Sequence, residues 1–317
     1  MKAVFLDYGT MGPGLDITPL ESLFDQLVVY ESTADDELIA RVRGVSVVFT
    51  NKIRFTAEVL SAAPKLAYIG LTATGTDNID LDGARKAGIA VSNIRGYCTP
   101  SVAEHVFGVV LMLSHKLKQY DAFSRDGGWQ NARDFCPLNW PITELAGKTL
   151  GVVGFGELGR GVARIGEAFG MRIIVAARPG SEAVADGRVS MDTLLAGADI
   201  VSLHCPLNDA TRDLIGAHEL QRMKPTAILV NTARGGLVDS QALADALEAG
   251  EIAAAAIDVL PNEPPRDGDP LLDYRGDNLV ITPHIAWGTT ESRQNAIAQL
   301  ADNARAFLDG APKNRVV

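Results

Sequence analysis

The chain has 317 residues, a formal net charge of −10, 47% hydrophobic residues and 21% charged ones. That length exceeds one ordinary core and predicts two domains of roughly 100–200 residues each. The acidic balance excludes nucleic acid or an anionic membrane as the main partner, and no apolar run approaches the about 18 residues of a membrane span. Cys98, Cys136 and Cys205 are odd in number and unclustered, which suggests neither a disulfide frame nor a metal site. Asp7 interrupts the opening apolar run, unlike a secretory signal, so a cytoplasmic location is expected.

Short apolar runs at 3–6, 27–29, 45–49 and 66–71 alternate with apolar residues at helical spacing over 19–26, 34–42 and 56–62, and the pair 81–87 and 89–91 continues the series. Such alternation predicts a parallel sheet covered by helices. Thr99 as a cap and Pro100 at the first helical position then open a long apolar helix running to residue 117. The stretch 125–144, with Gly127-Gly128, Trp129, Trp140 and two prolines, reads as irregular and suited to wrapping a neighbouring subunit.

A second series follows, with strands expected at 149–153, 172–176, 200–203, 227–230, 254–257 and 279–281 and helices at 158–169, 191–196, 217–223 and 240–249. This is the pattern of a doubly wound α/β fold that binds a dinucleotide. Its first turn, Gly154-Phe-Gly-Glu-Leu-Gly159, has the G-x-G-x-x-G spacing. Gly154 serves the turn, Gly156 the close approach of backbone to a pyrophosphate, and Gly159 the contact of helix with strand. The free N–H groups of the following helix would hold the phosphates. One last amphipathic helix, 290–308, has no strand after it and is expected to return to the first half. The expected domains are therefore 1–98 with 289–317, and 99–288, with a cleft between them.

Three polar residues stand just past strands of the second series, where ligands sit in open parallel sheets: Arg234, Glu263 and His284. A fixed cation, an acid and an imidazole together suit carbonyl reduction. Hydride addition builds negative charge on the carbonyl oxygen, so a proton donor must face it, and imidazole serves near neutral pH. A carboxylate on the other ring nitrogen fixes the tautomer and favours the imidazolium. A guanidinium clamps a carboxylate and polarises a carbonyl.

The chain resembles the D-2-hydroxyacid dehydrogenases over nearly its full length. The resemblance is carried by Thr74-Gly-Thr-Asp-Asn-Ile-Asp80, Ser101-Val-Ala-Glu-His105, Glu144 through Gly156, His204-Cys-Pro-Leu207, Asn231-Thr-Ala-Arg-Gly-Gly236, Asp258 through Pro264 and Pro283-His-Ile-Ala-Trp287. It implies a flavodoxin-like α/β substrate domain beside a Rossmann domain, and Arg234, Glu263 and His284 as the catalytic set. It places the substrate carboxylate on the backbone N–H groups of Thr74 and Gly75, with Asn51 and Lys52 nearby and Arg234 shared. Cofactor contacts implied are Gly154, Gly156, Glu157, Leu158 and Gly159 at the pyrophosphate, Cys205 and Pro206 in the loop after 200–203, and Thr232, Ala233 and Asp258 by the nicotinamide. Asp258 would accept from a carboxamide N–H₂, or else cap the loop that follows.

The acid expected to bind the NAD ribose falls at Ala177, with Arg178 next, so NADP(H) is the expected cofactor and NAD(H) the alternative. Arg178 could also stack on adenine without selecting either. Trp287 and the segment 135–145 are most similar to glycerate dehydrogenases, the hydroxypyruvate and glyoxylate reductases. An indole beside His284 would shorten the pocket for small keto acids, or pack a subunit interface. The resemblance also implies a homodimer. A corepressor-like protein of the same fold, binding NAD(H), and an inactive scaffold are the competing readings; the first would be expected to add a tail or peptide-docking cleft, and the second is disfavoured because the full Arg–Glu–His set is present.

Overall fold

The computed structural model describes residues 1–178, 184–185 and 187–317. The chain forms two compact units, Met1–Cys98 with Gly288–Val317, and Thr99–Trp287.

In the first unit the strands are β1 (Lys2–Phe5), β2 (Gln26–Val29), β3 (Val47–Thr50), β4 (Tyr68–Leu71) and β5 (Ala90–Ser92), separated by α1 (Thr18–Glu21), α2 (Asp35–Val42), α3 (Ala57–Ser61) and α4 (Leu81–Ala87). All pair in parallel, in the order β2-β1-β3-β4-β5. This is the flavodoxin-like order, whose direction reverses between β1 and β3. β3 and β4 are buried at every position, as expected of strands covered on both faces. The Asp80 carboxylate caps α4 by accepting from Gly83 N–H, and Gly88 in the left-handed conformation ends it.

The second unit opens with α5 (Thr99–Ser114) and α6 (Leu117–Arg125). A single helix to residue 117 was expected; Lys116, at φ 54°, breaks it. α6 has no buried residue, and its apolar Leu117, Tyr120 and Phe123 share one face, on which the Tyr120 and Phe123 rings meet Trp140. Residues 126–148 contain neither helix nor strand.

Then come β6 (Thr149–Val153), α7 (Glu157–Ala168), β7 (Arg172–Val175), α8 (Met191–Gly197), β8 (Ile200–Leu203), α9 (Ala217–Arg222), β9 (Ile228–Asn231), α10 (Ser240–Ala249), β10 (Ala254–Ile257), α11 (Pro270–Asp273) and β11 (Leu279–Ile281). The parallel sheet runs β11-β10-β9-β8-β6-β7. Just past β7, an isolated parallel bridge joins Ala176 to Val189. The direction of winding reverses between β6 and β8, which is where such sheets bind ligands. A core including Val153, Leu203, Leu229 and Ile257 lies against this sheet.

The last helix, α12 (Thr290–Leu308), belongs to the first unit and packs on α1 and β4. The tail after it joins the same unit, with Val316 N–H donating to Val91 C=O at 2.7 Å. Among the described residues no helix is long and apolar enough to cross a membrane.

Candidate active site

The turn after β6 is shaped by close backbone approach. Gly154 has φ 94°, and a Cβ on it would stand 2.4 Å from Cys205 N and 2.5 Å from His204 C, so only glycine lets this turn lie against the loop after β8. At Gly159 a Cβ would meet Gly154 O at 2.1 Å, closing helix onto turn. Over Gly156 a Cβ would meet nothing within 4 Å. Gly156 is the N-cap of α7 and supplies no side-chain cap; the exposed Glu157 and half-buried Leu158 form the first helical positions. The N-terminal N–H groups of α7 thus face an open cradle, the arrangement that receives phosphate.

The loops after β8 and β9 complete this rim. Burial pulls the His204 imidazole down to about 4 and pushes the Cys205 thiol up to about 11, so both stay uncharged near neutrality. Pro206 is exposed beside them. Thr232, next to Ala233 in the loop after β9, keeps a buried hydroxyl with no hydrogen-bond partner. A buried polar atom left unpaired is costly, so this orphan favours a ligand group that pairs with it. The open glycine cradle and the unpaired Thr232 Oγ1 fit a dinucleotide.

At the end of β7, Ala177 N–H donates to Val189 C=O at 2.7 Å and Arg178 is exposed. A second guanidinium stands there, because Arg188 Nη1 donates to Ala176 C=O at 2.9 Å. Sequence reasoning missed Arg188, which lies in a glycine-rich connection without a motif.

Arg234, Glu263 and His284 sit in the loops after β9, β10 and β11. Adjacent parallel strands bring these loops side by side. Asn231, fully buried, accepts from Ala233 N–H at 3.1 Å and donates to Arg234 C=O at 2.9 Å, which shapes the turn beneath Arg234. Gly235 then touches the next loop, since a Cβ there would lie 1.9 Å from Leu260 C. Leu260 N–H in turn donates to Glu263 Oε1 at 3.0 Å, leaving Oε2 to hold His284 Nδ1 at 2.6 Å. The pair is partly exposed, with side-chain accessibilities of 25% for His284 and 34% for Glu263. Nε2 is the ring nitrogen that this pairing leaves for a reacting group.

His284 adopts φ 56°, a left-handed conformation unusual for a residue with a Cβ. Its N–H donates to Asp258 C=O at 2.7 Å, and its own backbone C=O accepts from Trp287 Nε1 at 3.0 Å, so the indole meets the backbone of His284. Asp258 is 2% exposed and has both oxygens engaged. Oδ1 accepts from Thr282 Oγ1 at 2.6 Å and Ile285 N–H at 2.9 Å, and Oδ2 from Ala286 N–H at 2.9 Å. These bonds hold the loop after β11, not the loop that follows Asp258 in the chain, which was its alternative expected role. Oδ2 retains acceptor capacity for one more donor.

The remaining expected site residues form a cluster of their own in the first unit. Buried Asp7 accepts from Asn51 N–H at 2.9 Å and Lys52 N–H at 2.6 Å, which fixes the turn after β3. Asn51 Nδ2 donates to Thr10 Oγ1 at 3.1 Å, and the Lys52 side chain is exposed. After β4, Thr74 Oγ1 donates to Ile94 C=O at 3.0 Å, and Asn93 Nδ2 donates to Thr74 C=O at 2.7 Å, bracing the turn that leads to Gly75. Both turns lie at carboxyl ends of neighbouring strands. Asp7 and Asn93 are supports without a sequence motif, found only through the strands that bring them there.

Residues 107–286 match the family model described as D-isomer specific 2-hydroxyacid dehydrogenase, NAD binding domain. The chain is 41% identical over 317 residues to a glycerate dehydrogenase of Methylorubrum extorquens, covering 99% of this chain and 98% of the relative. To a hydroxypyruvate reductase of Blautia hydrogenotrophica it is 35% identical over 323 aligned positions, covering 100% and 99%. A solved acyclic imino acid reductase in complex with NADPH and D-Arg superposes with a TM-score of 0.88 at 30% identity, over 100% of both chains. The chain belongs to the D-isomer specific 2-hydroxyacid dehydrogenase family and is an oxidoreductase that works with a nicotinamide cofactor.

Proposed function

We propose that this enzyme reduces a small 2-keto acid, hydroxypyruvate or glyoxylate, to the D-2-hydroxy acid with NADPH, and catalyses the reverse oxidation. The observation that carries this reading is the 2.6 Å contact of Glu263 Oε2 with His284 Nδ1 in the loop next to Arg234. The nicotinamide cofactor, when bound, supplies the hydride. The protein's part begins with the substrate carboxylate, which the N–H groups of Thr74 and Gly75 receive together with Asn51 and Lys52. Arg234 holds the carboxylate and the carbonyl oxygen with its fixed fork of donors. As negative charge builds on that oxygen, His284 Nε2 delivers a proton to it while Glu263 steadies the imidazolium. Trp287, bonded to the His284 carbonyl, limits the room for a substituent. The competing corepressor-like reading leaves this acid–base set without a task and is not favoured. A panel of 2-keto acids tests the substrate: hydroxypyruvate and glyoxylate should give the highest kcat/KM, and best turnover of pyruvate or bulky keto acids would refute the choice.

NADPH is preferred on the same reading because Ala177, just past β7, stands where the acid is expected, with Arg178 next to it and Arg188 bonded to the Ala176 carbonyl. Charge-assisted bonds to a phosphate contribute about 1.5–3 kcal/mol each, or roughly 10- to 100-fold. The expected result is a kcat/KM for NADPH at least about tenfold above that for NADH. Arg178→Ala and Arg188→Ala should each narrow the gap by weakening NADPH alone. A clear NADH preference in the unaltered enzyme would sink the idea.

The segment after α5 supports a homodimer. Phe135 is 90% exposed, Leu138 75% and Trp129 57%, large apolar side chains left in water within one irregular segment, which a second copy of the chain would cover. Light scattering should give twice the chain mass, and Phe135→Asp with Leu138→Asp should lower it; a monomeric mass for the unaltered protein would count against this assembly. The cysteines are all free thiols, which suits the reducing cytoplasm proposed as its location.

A further inference from the structure

His284 stands in a backbone conformation that persists only where the surroundings hold it there. Three elements supply that restraint. Asp258, at the end of β10, takes the N–H groups of Ile285 and Ala286 and the hydroxyl of Thr282. Thr282, at the end of β11, offers its carbonyl to His284 N–H at 3.0 Å. The third element is α5, from which two side chains one turn apart reach the same loop. Ser101 Oγ donates to Ala286 C=O at 2.6 Å, and His105 Nε2 lies 3.2 Å from Thr282 Oγ1. Residues four apart share a helix face, so α5 touches the loop on both sides of His284.

The direction of these bonds follows from proton counting. An Asp258 carboxylate only accepts, so the single Thr282 hydroxyl proton goes to its Oδ1. Thr282 Oγ1 then has only lone pairs left for His105, whose Nε2 must therefore carry a proton and donate. Nε2 lies 3.9 Å from Asp258 Oδ1, too far for a direct bond, so His105 acts on Asp258 through Thr282.

We propose that His105 is a positioning residue of the reaction, and Ser101 its companion. By orienting the Thr282 hydroxyl toward Asp258, His105 holds the carboxylate in the place where it fixes Ile285 and Ala286, and the intervening backbone sets His284. The inference rests on His284 being the proton donor.

His105→Leu removes the donor, and kcat for keto-acid reduction should fall about 10- to 100-fold, the consequence of a small misplacement of the reacting group. The Kd for NADPH, read by fluorescence titration, should stay within about threefold because the glycine turn that would hold the pyrophosphate is untouched. His105→Gln, with an amide N–H in place of the ring N–H, should recover most of the loss. Thr282→Val should reproduce the defect without touching α5, and keeps the test intact if His105→Leu folds poorly. Placed in a His284→Ala background, neither substitution should lower kcat further. Unchanged kcat in His105→Leu beside an impaired His284→Ala would overturn the proposal alone, as would an undiminished effect in the His284→Ala background. Normal turnover in His284→Ala would instead overturn the reading beneath it.

Discussion

His284→Ala is expected to lower kcat for hydroxypyruvate reduction by about 10²- to 10⁴-fold, the contribution of a positioned proton donor. The site has no substitute in place, since the Nδ1 side of the ring is committed to Glu263 and the Asp258 oxygens are engaged by the loop. The methyl group that replaces the imidazole leaves the Asp258 contacts to Ile285 and Ala286 in being, so the loop should survive. NADPH binding should be near normal for that reason. Steady-state turnover followed by NADPH absorbance measures the effect, and a folded variant within tenfold of the unaltered enzyme would remove His284 from the chemistry. Glu263→Gln is the companion measurement. An amide supports an imidazolium less than a carboxylate does, so the basic limb of the pH profile for reduction should move to lower pH. The sign follows from the reaction, because reduction needs the protonated ring; a profile superimposable on that of the unaltered enzyme would dismiss the pair.

Arg234→Gln should cost about 10²- to 10³-fold in kcat/KM for the keto acid, comparable to removing a preorganised donor aimed at a developing oxyanion and equivalent to about 2.7–4 kcal/mol. The guanidinium donates one bond to its neighbour, Ala233 C=O, at 2.8 Å, which orients the fork on a turn already fixed by Asn231 and Gly235. Glutamine keeps a donor but loses the charge and the paired geometry. Arg234→Lys restores the charge without the fork, and should recover only part of the loss. KM for the keto acid should rise in both variants while KM for NADPH changes little. Equal loss for the two ligands would indicate a damaged fold rather than a missing clamp.

The alternating pattern of the second unit was legible because its strands are short apolar runs bounded by polar and glycine turns. β6, β8, β10, β11, α10 and α12 have the limits expected of them. The glycine motif was equally readable: Gly154 lies against the loop after β8, Gly159 against the turn itself, and Gly156 faces open space. Less was visible where one non-glycine residue turns the chain, as at Lys116, which divides α5 from α6. The strand-end residues Arg234, Glu263 and His284 could be named in sequence, but the bond between Glu263 and His284 could not.

By itself the sequence determined the α/β class, the glycine turn and the residue types of an acid–base site. These depend on spacing within a few residues, which chain periodicity and turn chemistry control locally. Only the tertiary structure decided what Asp258 holds, that Ser101 and His105 reach the His284 loop, and that Arg188 joins Arg178 at the end of β7. Those partners are distant in the chain, and a hydrogen bond requires a heavy-atom separation near 3 Å that only the sheet order and the helix laid beside it can supply.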